Sequence, residues 1–150
     1  MHPSNVAIKA NELLQKHNLT DWTFRFDNAK RRGGLCNYQK KEISLSIGFC
    51  NKASYDDVVN CLLHEIAHAL VGPGHHHNAV WIAKAKEIGC TAERCHRVEF
   101  TEPKYIIRCN SCKVEVKRHR MNAQLRHRLT TKTSACRRCH RSDWTILEQA

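Results

Sequence analysis

Apolar residues recur at helical spacing near the start of the chain. The positions that share this spacing are Val6, Ala10, Leu13, Leu14 and His17. Residues three and four apart lie on one face of a helix. The spacing therefore predicts a helix over residues 5–17, with Ser4 as the residue that caps its N-terminus.

The pattern then changes to an alternation of apolar and polar residues. Alternation places every second side chain on one face of a strand, and it predicts three short strands, over residues 22–26, 35–38 and 40–47. We expect these strands to form one small antiparallel sheet. In the third strand we expect the aliphatic side chains to face the core, and Ser44 and Ser46 to face solvent.

Helical spacing returns after Ser54. The apolar residues that show it are Val58, Cys61, Leu62, Ile66, Ala69 and Leu70. Ser54 predicts the N-terminal cap of this central helix, and residues 72–74, Gly-Pro-Gly, predict its end. A shorter helix is predicted over residues 79–88, before Gly89. The order of helix, strands and two further helices predicts an α+β fold.

The central helix carries the pattern His-Glu-x-x-His. His64 and His68 are one turn apart and project to one side, close enough to bind one metal ion. Glu65 lies about 100° round the helix from His64, where a carboxylate can reach a metal-bound water without being a ligand. Zinc suits two imidazoles and lowers the pKa of its bound water to near neutrality. The pattern is typical of zinc hydrolases, most often peptidases, and it predicts Glu65 as the catalytic residue.

A catalytic zinc ion normally takes three protein ligands, so a third ligand is needed. The residues alone offer two kinds of candidate. Three histidines, His75, His76 and His77, follow the central helix, and Glu87 lies in the next predicted helix.

The chain has 150 residues, nine of them cysteines, and a net charge of +11. An odd number of cysteines argues against a fully paired disulfide framework, and the chain begins without the apolar segment of a secretory signal. We therefore expect a reducing compartment, cytoplasmic or associated with a nucleoid or nucleus, and not secretion. No apolar run is long enough to predict a membrane span.

Four of the cysteines form two Cys-x-x-Cys pairs. They are Cys109, Cys112, Cys136 and Cys139. Four thiolates fit a closed tetrahedral site for a structural zinc ion, which brings the expected content to one catalytic and one structural zinc. Alternating residues on both sides predict a β-rich zinc ribbon, too small to fold without its metal. We place the domain boundary between residues 1–98 and 99–150.

The remaining cysteines are Cys36, Cys50, Cys61, Cys90 and Cys95. We expect them to be small buried residues. Two alternatives stay open: Cys61, one turn before His64, could approach the metal, and Cys90 and Cys95 could form a disulfide.

The C-terminal module is the more basic part of the chain. Residues 99–150 contain 12 Lys and Arg against 5 Asp and Glu. Such a surface predicts contacts with nucleic-acid phosphates, and its alternative is a solvated basic face without a ligand. The candidate contact residues are Lys113, Lys117, Arg118, Arg120, Arg126, Arg128, Arg137 and Arg138.

Residues 77–81 read His-Asn-Ala-Val-Trp. This segment is similar to the His-Gly-x-x-aromatic element of SprT-like (Spartan-type) zinc metallopeptidases, with Asn78 where the family usually has Gly. Residues 31–38 and 43–46 are similar to the hairpin before the family's active helix, and the C-terminal Cys pairs extend the resemblance. The resemblance implies that His77 is the third zinc ligand and that the first domain is small and zincin-like, with helices on a short three-stranded sheet.

The resemblance also implies an activity and partners. We expect a zinc-dependent endopeptidase that cleaves proteins bound or crosslinked to DNA, a role in DNA repair, with the basic ribbon recruiting single-stranded or distorted DNA. A monomer without membrane contacts is expected. Two alternatives remain: a DNA-binding zinc protein whose His-Glu-x-x-His site is not catalytic, and a zinc hydrolase of small molecules.

Overall fold

The computed structural model of the protein describes residues 2–93 and 100–149. The chain forms two compact units, Met1–Thr101 and Glu102–Ala150. The boundary predicted after residue 98 lies outside the described residues. Helices and short strands occur in both units, which confirms the α+β fold class.

The first unit packs helices against one three-stranded sheet. Its elements in chain order are α1 (Pro3–Lys16), β1 (Thr23–Asp27), β2 (Gly34–Asn37), β3 (Glu42–Ser46), α2 (Ile47–Lys52), α3 (Tyr55–Val71) and α4 (Ala79–Glu87).

Helix α1 begins two residues earlier than predicted. Ser4 is not its cap; the ring of His2 accepts the Ser4 backbone N–H at 3.4 Å, and Pro3 occupies the first turn. A proline suits this position because its fixed φ is helical and the N–H that it lacks would have no partner there. The face predicted to be apolar is confirmed, since Val6, Ala10, Leu13 and Leu14 are all buried.

The sheet is mixed, so the expectation of a purely antiparallel sheet is wrong. β3 lies in the centre, with β2 antiparallel on one side and β1 parallel on the other. The four-residue turn at positions 38–41 joins β2 and β3 into a hairpin. Residues 28–33 cross the end of β3 instead of turning back on β1, and the Gly33 carbonyl accepts the Ser46 N–H at 2.7 Å. β1 is thereby left to pair with β3 in the same direction.

The two serines of β3 are buried, contrary to the prediction that they face solvent. The last residue of β1 and the segment that follows it supply their partners. The Ser44 hydroxyl donates to the Asp27 carboxylate at 2.7 Å, and the Ser46 hydroxyl donates to the Ala29 carbonyl at 2.7 Å. Burial is tolerated because each hydroxyl is hydrogen-bonded.

The third strand also ends one residue earlier than predicted, because Ser46 caps helix α2. Its hydroxyl accepts the Phe49 N–H at 3.3 Å. Alternation did not predict this short helix, whose buried residues are Phe49 and Cys50.

Helix α3 has the boundaries that its cap residues predict. Ser54 and Asp57 form a capping box, in which each side chain accepts the other residue's backbone N–H. Gly72 ends the helix with a φ of +82°, a backbone conformation that residues other than glycine rarely adopt. The apolar face of α3 is buried from Val58 to Ala67, and it fixes the orientation of the helix within the unit.

The second unit is a three-stranded antiparallel sheet with one short helix. Its elements are β4 (Tyr105–Cys109), β5 (Glu115–Arg118), α5 (Ala123–Thr130) and β6 (Trp144–Glu148), and β4 is the central strand. Helix α5 was not predicted, because among its residues only Leu129 is buried and apolar periodicity is therefore weak. Asn122 caps it by accepting the Leu125 N–H at 2.8 Å.

Within residues 2–93 and 100–149, no helix combines the length and the apolar character that crossing a membrane requires.

Candidate metal centres

Three histidine nitrogens converge in the first unit. The Nε2 atom of His77 lies 3.0 Å from that of His64 and 3.2 Å from that of His68. Three nitrogens bound to one tetrahedral zinc ion at its usual bond length lie about 3.3 Å apart. The spacing of this set, which we call the histidine centre, therefore fits a metal ion of this kind and is consistent with zinc.

Local structure brings these three rings together. His64 and His68 are one turn apart on α3, and His77 directly precedes Asn78, the N-cap of α4. The Asn78 side chain accepts the N–H groups of Val80 and Trp81, which fixes the turn in which His77 lies.

The electrostatic setting of His68 suits metal binding. Burial, and then the neighbouring His77 and His76, lower the pKa of His68 to about 4. The ring is therefore neutral near pH 7, which is the form in which imidazole donates a lone pair to a metal.

The structure also shows where the other ligand candidates lie. His76 is exposed, and the Nδ1 atom of His75 lies 3.2 Å from the side-chain amide of Asn78. Glu87 pairs with Lys84 at 2.7 Å on the exposed side of α4. Among the described residues, only His77 joins the two helix histidines in a group that could hold a metal.

Glu65 is buried beside the histidine centre, with only 8% of its surface exposed. Burial raises its pKa to about 7, although the charge of Arg32 and a hydrogen bond from the Cys36 backbone N–H act in the opposite direction. A metal cation bound nearby would lower this value. A carboxyl group whose pKa lies near the ambient pH can both accept and return a proton, as a general base and acid must.

Strand β2 lies directly against Glu65. A Cβ atom at Gly34 would come within 2.8 Å of both Cγ and Oε1 of Glu65, so the absence of a side chain at this position makes room for the carboxylate. The sequence placed Gly34 only within the hairpin segment 31–38 and predicted no role for it in the site. A single chain holds no local signal that pairs residue 34 with residue 65.

The Tyr38 hydroxyl lies against two backbone carbonyls at the end of α3. Its hydroxyl is 3.1 Å from the His68 carbonyl and 3.2 Å from the Gly72 carbonyl, to which it can donate. These contacts connect the end of the β2 segment to the last turn of α3. Burial raises the pKa of Tyr38 to about 12, so the hydroxyl keeps its proton.

The second unit contains a cluster of four cysteine sulfurs. Sγ of Cys109 lies 3.5 Å from that of Cys139, and Sγ of Cys112 lies 3.6 Å from that of Cys136. These distances are far from the length of a disulfide bond and near the value of about 3.8 Å expected for thiolates on one tetrahedral zinc. The four residues form one group that could hold a metal.

Backbone amides favour the thiolate form of two of these cysteines, Cys109 and Cys136. A hydrogen bond from the Cys112 backbone N–H is the largest of the contributions that lower the pKa of Cys109 to about 7. A hydrogen bond from the Cys139 backbone N–H has the same effect on Cys136 and lowers its pKa. Hydrogen bonds to sulfur favour the thiolate, which is the form that binds zinc.

The residues predicted to contact nucleic acid are all exposed in the second unit. They are not equivalent, however. Arg126 lies 3.4 Å from Glu148 and sits over the Tyr105 ring, so part of its charge is already compensated. Arg137 and Arg138 lie in the loop between Cys136 and Cys139, and the Arg138 backbone N–H points to the sulfur of Cys136.

Of the other cysteines that the structure describes, Cys50, Cys61 and Cys90 are buried and Cys36 is half-buried. Cys61 is buried, and among the described residues it does not belong to a metal-binding group. Burial, and then the charges of Glu65 and of other core thiols, raise its pKa. The alternative of a disulfide between Cys90 and Cys95 lies outside the described residues.

The first unit thus has the features of the His-Glu-x-x-His class of metal-binding domain: two helix histidines, a third histidine from a following turn, and a buried acid next to them. The chain belongs to the SprT-like family, whose model matches residues 5–104. This family is generally metallopeptidase-like, and the match confirms the resemblance seen in the sequence. A search of curated proteins and a search of solved structures gave no match.

Proposed function

We propose that the protein is a zinc-dependent endopeptidase that acts on proteins associated with DNA. The observation that supports it most is the buried carboxylate of Glu65 beside three convergent imidazole nitrogens. A purely structural zinc site has no need of an acid in that place. When bound, zinc supplies an acidified water and polarises a peptide carbonyl.

The chain's own residues account for the remaining chemistry. His64, His68 and His77 would hold the metal, and a carboxylate oxygen of Glu65 would take the proton from the attacking water. The same carboxyl would then give the proton to the leaving amine. Its buried position limits exchange of that proton with bulk solvent.

The edge of the sheet suits an extended substrate. β2 is an edge strand that contacts Glu65, and the Leu35 side chain on it is exposed. A flexible peptide that pairs with this edge would gain backbone hydrogen bonds without a requirement for particular side chains. This favours unfolded or flexible substrate segments over a specific sequence.

DNA recruitment is proposed for the second unit. Support comes from its excess of positive charge and from the exposure of all eight candidate residues. Contacts of this kind depend on charge and weaken steeply with salt.

The experiment for catalysis compares Glu65→Gln with Glu87→Gln in the zinc-loaded full chain. Both changes replace a carboxylate by an amide, but Glu87 lies exposed on α4. We expect Glu65→Gln to lower kcat for cleavage of an unfolded protein by at least about 100-fold, with two zinc ions per chain retained. Cleavage at the unchanged rate would refute the mechanism, and retained DNA binding without any cleavage in the wild type would favour a non-catalytic zinc protein.

The experiment for DNA measures affinity for single-stranded DNA against salt concentration. Replacing Arg137 and Arg138 together by Gln should reduce the salt slope by about 1 to 2, because two phosphate contacts are lost. Arg126→Gln is the matched control, and we expect a smaller effect because Arg126 already pairs with Glu148. Unchanged affinity in the double variant would contradict the proposed contact surface.

A further inference from the structure

The histidine centre rests on one aromatic ring. Trp81, on the first turn of α4, is fully buried, and its ring contacts all three histidines. The ring centroids lie 4.6 Å from His64, 5.1 Å from His68 and 4.6 Å from His77.

The three contacts differ in geometry. His68 stacks on the indole with an interplanar angle of 29°, whereas His64 is tilted at 59° and His77 stands edge-on at 86°. Stacked and edge-on arrangements are the two favourable geometries for aromatic pairs. Three imidazoles that converge on one metal ion have differently oriented ring planes. The single indole of Trp81 contacts all three of them in spite of this difference.

His68 makes the stacked contact with the indole. A metal-binding imidazole is commonly oriented by a hydrogen bond at its second ring nitrogen. Within the part of the chain that the structure describes, the Nδ1 atom of His68 has no such partner, and its hydrogen-bonding contact is made by Nε2. Rotation about χ2 of a histidine is otherwise weakly restricted. The stack on Trp81 supplies the restriction instead.

The indole N–H of Trp81 indicates that the residue does more than fill space in the core. Nε1 of Trp81 is buried without a hydrogen-bond partner among the described residues. An unpaired buried donor is unfavourable. A phenylalanine would fill much of the same volume without that donor, so the bicyclic shape is what the site gains from tryptophan.

We propose that Trp81 is a positioning residue that orients His64, His68 and His77 for metal binding. The inference rests on the metal site that the proposed function requires, but not on proteolysis. A loss of metal affinity without a loss of folding is the signature of such a role.

The test measures cobalt binding to the full chain. The cysteine cluster is first filled with zinc, and Co²⁺ is then titrated into the histidine centre and followed by its d–d absorption. We expect Trp81→Phe to weaken Co²⁺ binding by about 10- to 100-fold, as is usual when a group that orients metal ligands is removed. The melting temperature of the protein without metal at this centre should change by only a few degrees, because the lost ring contacts are partly offset by loss of the unpaired donor.

Trp22→Phe is the matched control. It removes an indole from the same unit, but Trp22 packs edge-on against Tyr38 at a centroid distance of 6.2 Å. Its Co²⁺ affinity should equal that of the wild type. Wild-type affinity in Trp81→Phe would overturn the inference while leaving the proposed function intact, whereas absence of Co²⁺ binding in the wild type would remove the metal site itself.

A second measurement covers the case in which Trp81→Phe does not fold. Replacing Trp22 and Trp144 by Phe leaves Trp81 as the only one of three tryptophans. Because its ring lies about 5 Å from each imidazole, Co²⁺ at the histidine centre should quench its fluorescence in proportion to occupancy, and zinc should change its near-ultraviolet circular dichroism. Emission and dichroism that do not respond while the d–d absorption shows Co²⁺ bound at the histidine centre would overturn the inference.

Discussion

A methyl group at position 34 should impair catalysis without removing the metal. Gly34 lies on β2, where a Cβ atom would be 2.8 Å from both Cγ and Oε1 of Glu65 and 3.0 Å from Cδ2 of Leu45. Ordinary van der Waals contact begins at 3.4 Å. The Glu65 side chain must therefore retreat by roughly 0.6 Å, or β2 must move away from α3.

This displacement is large on the scale of catalytic geometry. A misplacement of about 1 Å can reduce a rate about 100-fold, and a general base contributes about 100- to 10,000-fold in total. We expect Gly34→Ala to lower kcat/KM by about 10- to 100-fold. Overpacking should also reduce the free energy of unfolding by about 1–3 kcal/mol.

The assay follows cleavage of an unfolded protein well below the melting temperature, together with zinc content per chain. Gly48→Ala is the control, because a Cβ atom there lies at 3.4 Å or more from its neighbours and alanine favours the helix in which Gly48 lies. Full activity in Gly34→Ala would refute the argument that β2 positions Glu65. Loss of zinc together with activity would show that the effect reaches the histidines and not the carboxylate alone.

Two further predictions concern stability. Removal of zinc by a chelator should unfold residues 102–150, because the described apolar core of that unit is small. Cys136→Ser should unfold the same unit without a chelator. Unchanged circular dichroism and an unchanged melting curve after complete zinc removal would contradict this prediction. The second prediction concerns Asp27. Burial alone would raise its pKa, but hydrogen bonds from Ser44, Ala29 and Arg32 lower it below the usual value of about 3.9 for aspartate. Its stabilising contribution is therefore complete above that value and is lost as the pH falls through the lower pKa of the folded state. The difference in melting temperature between wild type and Asp27→Asn should be largest near about pH 5 and should shrink by about pH 3; a difference that does not change with pH would contradict it.

The elements that could be predicted are those whose signal is local. Helix α3 shows why, because Ser54, the apolar spacing and Gly72 all lie within the segment that they define. The two helix histidines and the two Cys-x-x-Cys pairs are local in the same sense. Their spacing along the chain already dictates which atoms can meet.

The features that could not be predicted depend on contacts between distant residues. Ser44 has an outward-facing pattern in the sequence, but in the fold it lies within hydrogen-bonding distance of Asp27 at the end of β1. The pairing of β1 with β3 has the same origin. Helix α5 was missed for a different reason, since its apolar content is too low to produce a periodic signal.

The candidate site combines both kinds of information. His64, Glu65 and His68 lie within one turn and a half of helix, so their chemistry can be proposed from sequence. The groups that set their geometry come from elsewhere: Gly34 makes room for Glu65, and Trp81 packs under the histidines. The identity of the two helix ligands is thus a local property of the sequence, whereas the third ligand and the orientation of all three depend on the fold. For this reason Gly34→Ala and Trp81→Phe, which alter neither a metal ligand nor the catalytic acid, test the structural argument more directly than changes to the motif itself.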